Sequence, residues 1–217
     1  ISETLISTPY QYFYYPVNFG GKNLVNQWDR ILTEIKDEEW FMILGDDDVV
    51  SENFVESFYH HQKEIAGNNC HVIKYKQCHI DGSGKQTNDF TSLKLTKGHR
   101  SSLSEYIFRT ESYREIGFLN LPVAWGTDDV AVYEFSKGYP IFFIDDAYVL
   151  VRISSENFSG RADDTHRKRA DKIIFEKHMI NRHYKILEKQ YLYQLIQNQI
   201  YHKYHHNIPL DINLPKL

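Results

Sequence analysis

Several features that would place a chain outside the ordinary globular enzymes are scarce or missing here. Only two cysteines, Cys70 and Cys78, stand among 217 residues, so no disulfide framework is expected. Ile1 to Tyr10 carries Glu3 and has no basic start, so no export leader is expected. Thiols without an export signal make a reducing cytoplasm the expected compartment. Uninterrupted apolar runs stop at five residues, as in Trp40 to Leu44, against the roughly 20 that a membrane-spanning helix needs. Internal repeats and low-complexity stretches are absent. An excess of positive charge is missing too: 25 Lys and Arg face 29 Asp and Glu, net −4. That balance excludes a nucleic-acid-binding body as the working expectation.

What is present is aromatic and unevenly charged. Sixteen Tyr, 13 Phe and 3 Trp are too many for a disordered chain. The length suits one domain or one and a half, at about 100–200 residues each, and is enough for a core without staples. The charge divides along the chain. Ile1 to Gly160 holds 14 basic and 23 acidic residues, whereas Arg161 to His206 holds 10 and 5 together with six of the eleven histidines. The basic tail is either a solvated helix face or a peripheral contact with an anionic membrane surface at its inner, cytoplasmic side.

Periodicity predicts strands alternating with helices. Asn23 to Ile35 carries Leu24, Trp28, Ile31, Leu32 and Ile35 at helical spacing. Trp40 to Leu44 is a continuous apolar run, as in a strand covered on both faces. Ser51 is placed to cap a helix from Glu52 to Ala66 that Gly67 stops. Cys70 to Ile80 and Tyr106 to Arg109 read as strands, and Lys85 to Ser102 as polar loop. Ser112 and Glu115 form a capping-box pattern ahead of Gly117. Asp128 and Asp129 open a helix that Gly138 closes. Pro140 to Arg152 reads as one or two strands broken near Asp145 and Asp146. Arg167 to about Tyr204 reads as one long or two shorter helices, with Ile173, Ile180, Tyr184, Leu187, Tyr191 and Leu195 as the apolar stripe. The fold class is therefore α/β with a largely parallel sheet flanked by helices. Residues 1–152 form the core, and 153–217 a loop and helical extension.

Three consecutive carboxylates, Asp46, Asp47 and Asp48, follow the first apolar strand. Ligand sites of open α/β sheets lie beyond the carboxyl ends of strands. Clustered carboxylates repel unless a cation or hydrogen bonds compensate. Mg²⁺ or Mn²⁺ shared with substrate phosphates does so with few protein ligands. The alternative is a solvated turn ahead of the next helix. The spacing does not suit an EF-hand, because Val50 and Asn53 occupy positions that would need ligands. The second feature is Trp125-Gly126-Thr127-Asp128-Asp129, a carboxylate pair beside an aromatic at a loop-to-helix junction. It is placed either as a general base or as a plain helix start. His60, His61, His205 and His206, like the remaining histidines apart from His166, show no metal spacing with acids and read as surface.

Four segments in order resemble bacterial family 2 glycosyltransferases with the GT-A (Rossmann-like) fold. "NFGGKNLVNQWDRIL" is similar to the helix start before the family's DxD strand. "EEWFMILGDDDVVSENFVESF" looks like the DxD strand itself and its following helix. "FRTESYREIGFLN" resembles the arginine-bearing strand and short helix, and "AWGTDDVAVYEFSKGYPIFFID" the acceptor-site segment. The resemblance implies a nucleoside-diphosphate sugar as donor and a glycan or lipid-linked hydroxyl as acceptor, in surface polysaccharide synthesis. It implies Mn²⁺ or Mg²⁺ on Asp46 and Asp48, or on Asp47 and Asp48. Asp129 would be the base, with Asp128 beside it where the family usually has Glu, and Trp125 would line the acceptor site. Gly21 and Asn23 would meet the donor. Arg161, Arg167 and Lys168 would close over the diphosphate, with His166 as a third metal ligand. Nothing before Tyr10 resembles the family's opening strand and nucleotide loop, so an N-terminally incomplete core is expected. Two other readings stay open: a non-catalytic carbohydrate- or partner-binding fragment, and a sugar nucleotidyltransferase, which would want a Gly-rich phosphate loop.

Overall fold

The computed structural model describes residues 10–90, 102–155, 157, 160 and 165–212. Helix α1 (Leu24–Leu32) starts where the Asn23 side chain accepts a hydrogen bond from the Asn26 amide. It is followed by β1 (Trp40–Phe41), β2 (Val49–Val50), α2 (Phe54–Gly67) and β3 (Val72–Ile80). A single 3-10 turn, Leu103–Glu105, leads into β4 (Tyr106–Arg109) and α3 (Thr110–Ile116). The order closes with α4 (Thr127–Phe135), β5 (Phe142–Arg152), α5 (Thr165–His183) and α6 (Lys189–His206). The expected α/β class and the two C-terminal helices are both present. The expected break near Asp145 is a bulge within one strand: Ile144 pairs with Tyr75 and Tyr148 with Lys76, which leaves Asp145 to Ala147 unmatched.

The sheet order is β1-β4-β3-β5-β2. Only β3 and β5 pair in parallel, while β1–β4, β3–β4 and β2–β5 are antiparallel. The expected largely parallel sheet is thus corrected at the level of pairing. Strands β1, β3 and β5 do share one direction, but β4 is inserted between β1 and β3 and runs the other way. Both faces are covered, which explains the continuous apolar runs. On β4, Tyr106 and Phe108 face a cluster with Val25 and Leu32 of α1 and with Val132 and Phe135 of α4. Ile107 points to the opposite cluster, with Phe54 and Phe58 of α2. A third cluster joins Val130 of α4 to Phe175, Met179 and Ile180 of α5 and Leu195 of α6.

Two expected caps are diverted by tertiary partners. Ser51 does not cap α2: its Oγ accepts from the Tyr148 amide at 3.1 Å. Asn53 precedes α2 instead and donates its side chain to the Asp146 carbonyl. Ser112 is buried inside α3, with its Oγ 2.7 Å from His71 Nδ1. A capping box does form, but at Ser102 and Glu105. Ile31, expected on the α1 stripe, is exposed, and Val25 takes the buried position. Among the described residues no helix is long and apolar enough to cross a membrane.

Candidate functional site

The carboxyl ends of the three like-directed strands converge on one cleft of about 720 Å³. Ile43 and Gly45 bring in the end of β1, and His79, Val151 and Ile153 the ends of β3 and β5. Trp125, Gly126, Asp128 and Asp129 bring in the start of α4. The far wall comes from α5 and α6 through Phe175, Glu176 and Tyr191. The C-terminal helices therefore line the cleft.

The loop before α4 is shaped by backbone that few residues adopt. Gly126 has φ +105°, and a Cβ there would lie 2.7 Å from the Phe175 ring. Ala124 also has positive φ. Asp171 of α5 holds this loop by accepting the amides of Val123 at 2.8 Å and Trp125 at 3.3 Å. Burial pushes its pKa up, opposed by those two amides. The Lys168 ammonium lies 4.8 Å from the centre of the Trp125 ring, a cation–π contact. Lys168 was expected over a diphosphate; it is buried and serves the wall behind Trp125 instead.

Asp128 and Asp129 lie in the first turn of α4, where acidic side chains suit the helix dipole. Asp129 is within electrostatic reach of three groups. One is Glu105, fully buried, whose pKa burial raises to about 7 against the attraction of Lys74, with Asp129 adding to the rise. The others are Tyr133, pushed up to about 12 by burial and then by Asp129, and Tyr191, raised by the same two causes. Lys74 Nζ lies 3.7 Å from Glu105. Sequence reasoning missed this buried pair, as it missed Asp171.

The acidic run is folded into the end of the sheet. Asp46 is exposed, and Asp47 and Asp48 are half-buried. Asp48 Oδ2 accepts from Ser104 Oγ at 2.5 Å and Oδ1 from the Arg152 amide at 2.9 Å. Asp47 Oδ2 accepts from Asn157 at 3.0 Å. The Arg152 guanidinium donates to the carbonyls of Asp47, Asp81 and Gly82. Burial raises the pKa of Asp48, and the Asp47 charge adds to the rise. A Cβ on Gly45 would meet the Asp48 carboxylate at 2.8 Å, so glycine lets that carboxylate fold back over the turn. These oxygen donors fit a hard dication: a desolvated carboxylate beside a second one is relieved by positive charge, and each bonded oxygen keeps a lone pair.

The other expected residues divide. Arg167 contacts Gly21, donating to the carbonyls of Gly21 and Lys22. Asn23 is engaged as the cap of α1 and also donates to Asn120. His166 stands exposed in the first turn of α5, and Arg161 lies outside the described residues. Among the described residues the three-ligand convergence is elsewhere, at Glu134, His178 and His183. That corrects the reading of the remaining histidines as surface without acid partners. No spacing rule reveals it, because Glu134 is on a different helix and the histidines are five residues apart.

No family model matches the chain, and no curated protein matches it. Among solved structures it is similar to residues 1–349 of Staphylococcus aureus TarS, a glycosyltransferase. The TM-score is 0.51 at 11% identity, over 88% of this chain and 54% of that one. The chain thus spans about half the length of that structure. At this identity the likeness is one of fold: the chain has a Rossmann-like, glycosyltransferase-like fold.

Proposed function

We propose that the protein is an inverting glycosyltransferase of the family 2 type, moving a sugar from a nucleoside-diphosphate sugar to a hydroxyl of a glycan or lipid-linked acceptor. One observation carries the reading: Gly45, at the head of the acidic turn, lines one cleft with Trp125, Gly126, Asp128 and Asp129, beyond the carboxyl ends of β1, β3 and β5, and Ser104 of the same wall donates to Asp48. Asp129 takes the proton from the acceptor hydroxyl. That oxygen attacks the anomeric carbon, and the bond from that carbon to the diphosphate oxygen breaks. Trp125 offers the acceptor ring an apolar face, backed by Lys168. Glu105, buried beside Lys74, lies within electrostatic reach of Asp129. Asp46, Asp47 and Asp48 would hold Mn²⁺ or Mg²⁺, which supplies positive charge to the departing diphosphate. The exposed cations of α5 and α6 carry the proposed peripheral contact with an anionic membrane at its cytoplasmic face.

The test is calorimetric titration of the chain with nucleoside diphosphates, with and without Mn²⁺. Binding that requires both together and vanishes in Asp46→Ala/Asp48→Ala is the expected result. A double variant that binds as tightly as the parent removes the metal assignment. Glycan binding with no nucleotide binding at all makes the chain a carbohydrate-binding module instead.

A further inference from the structure

Away from the cleft, the last turn of α4 faces the second half of α5. Glu134 points from α4 towards His178 and His183 on α5. His178 Nε2 lies 2.8 Å and His183 Nε2 3.4 Å from the same oxygen, Glu134 Oε1. One ligand atom from each residue lies within 4.8 Å of the other two. We propose that Glu134, His178 and His183 bind a borderline transition-metal dication, Zn²⁺ in particular, which clasps α5 to α4.

The geometry is close to that of a three-ligand zinc site. Tetrahedral bonds of about 2.0–2.2 Å set ligand atoms roughly 3.4 Å apart. The His183–Glu134 separation already matches, and the His178–Glu134 one opens by a few tenths of an ångström. All three residues are half-buried. That leaves room for a water molecule in the fourth position while excluding bulk solvent from the ligand atoms.

A simple ion pair leaves one atom unexplained. A proton shared between Glu134 and His178 accounts for the 2.8 Å contact. His183 Nε2 is sequestered from solvent, and its contact with Glu134 Oε1 at 3.4 Å lacks hydrogen-bond geometry, although buried polar atoms are nearly always well paired. A metal gives that lone pair a ligand role. The competitor is Arg182, whose Nε lies 3.5 Å from Glu134 Oε1. Its side chain is 67% exposed and swings into water without loss of packing. Tyr133, on α4, covers the other side, its ring 5.7 Å from the His183 imidazole.

The donor set also selects the ion. Two imidazoles and one carboxylate suit Zn²⁺, Cu²⁺ or Ni²⁺, whereas Mg²⁺ and Mn²⁺ prefer oxygen. The site is thus chemically distinct from the all-oxygen Asp46–Asp48 turn.

The experiment uses the full chain stripped with a chelator and titrated with Zn²⁺ against a chromophoric competitor, with Mg²⁺ as control and Co²⁺ as optical probe. One equivalent of Zn²⁺ should bind and raise the melting temperature, Mg²⁺ should do neither, and Co²⁺ should give visible absorption of low-coordinate type. His183→Gln and His178→Gln should each weaken binding about tenfold or more. The proposal fails if the parent binds no Zn²⁺, or if His178→Ala/His183→Ala binds it as tightly as the parent. Where the variants do not fold, nitrogen-15 chemical shifts of the two Nε2 atoms in the parent decide: a large shift on adding Zn²⁺ supports the site, and none overturns it.

Discussion

Asp171 and Trp125 are joined by a hydrogen bond from the Trp125 amide to the Asp171 carboxylate, and the same oxygen takes the amide of Val123. A helix in the basic C-terminal part thereby sets the loop that presents Asp128 and Asp129. Asp171→Ala leaves two amides unpaired, one of them buried, and should cost about 2–4 kcal/mol. Urea denaturation of the two proteins measures it. Asp171→Asn should recover part of the loss, since its carbonyl still accepts.

Gly126 is the second constraint on that loop. Gly126→Ala forces a side chain into a positive-φ position and against the Phe175 ring. The strain and the contact together should cost about 2–4 kcal/mol. Gly126→Ala/Phe175→Leu should recover the contact and keep the strain. Equal costs for the single and double variants would show that the ring already gives way.

Glu105 should make stability fall as pH rises. Its folded-state pKa, about 7, lies above the ordinary 4.5, so the folded protein keeps a proton that the unfolded chain has lost. The contribution is complete below the ordinary value and disappears as pH rises through about 7. The whole change is up to about 3 kcal/mol. Glu105→Gln removes that slope, so the variant should improve relative to the parent between pH 5 and about pH 8. Parallel stability curves for the two proteins would show that Lys74 keeps Glu105 ionised throughout.

The acidic turn should separate structural from ligand roles. Asp48→Ala leaves Ser104 and the Arg152 amide without their acceptor and should lower stability by about 1–3 kcal/mol. Asp46→Ala, at an exposed side chain, should change stability by less than about 0.5 kcal/mol. Both should weaken metal-dependent nucleotide binding. In turnover, Asp129→Asn should lose about 10²–10⁴-fold with donor binding retained. A larger loss in Asp128→Asn would give that residue the role of base.

Much of the fold was legible because its signals are local. The spacing of Leu24 and Trp28, the runs ending at Ile80 and Arg109, and the glycines after α3 and α4 each report on a few neighbouring residues. Strand pairing is not local: nothing in Tyr106 to Arg109 announces that it inserts between β1 and β3. Ser51 and Ser112 carried correct capping chemistry, but Tyr148 and His71 compete for their hydroxyls from distant segments. The Trp125–Asp129 wall of the cleft and the acidic turn that starts at its edge, at Gly45, were conspicuous as carboxylates in a row. Glu105, Asp171 and the Glu134–His178–His183 group were not, since each acquires meaning only from a partner on another element. Lys168 misled for a related reason: its charge reads as aimed at a diphosphate until the Trp125 ring is seen beneath it.

The side chain of Arg152 is the cation woven into the acidic turn, and it is committed to the carbonyls of Asp47, Asp81 and Gly82. An arginine so committed cannot swing out to greet an incoming phosphate. An anion nearing Asp46 therefore meets carboxylate charge, felt over about 8 Å at physiological salt. Under the proposed metal assignment the turn would act as a charge filter: a diphosphate would be admitted in the company of its dication, while a bare nucleotide, a sulfate or a free phosphate would be repelled.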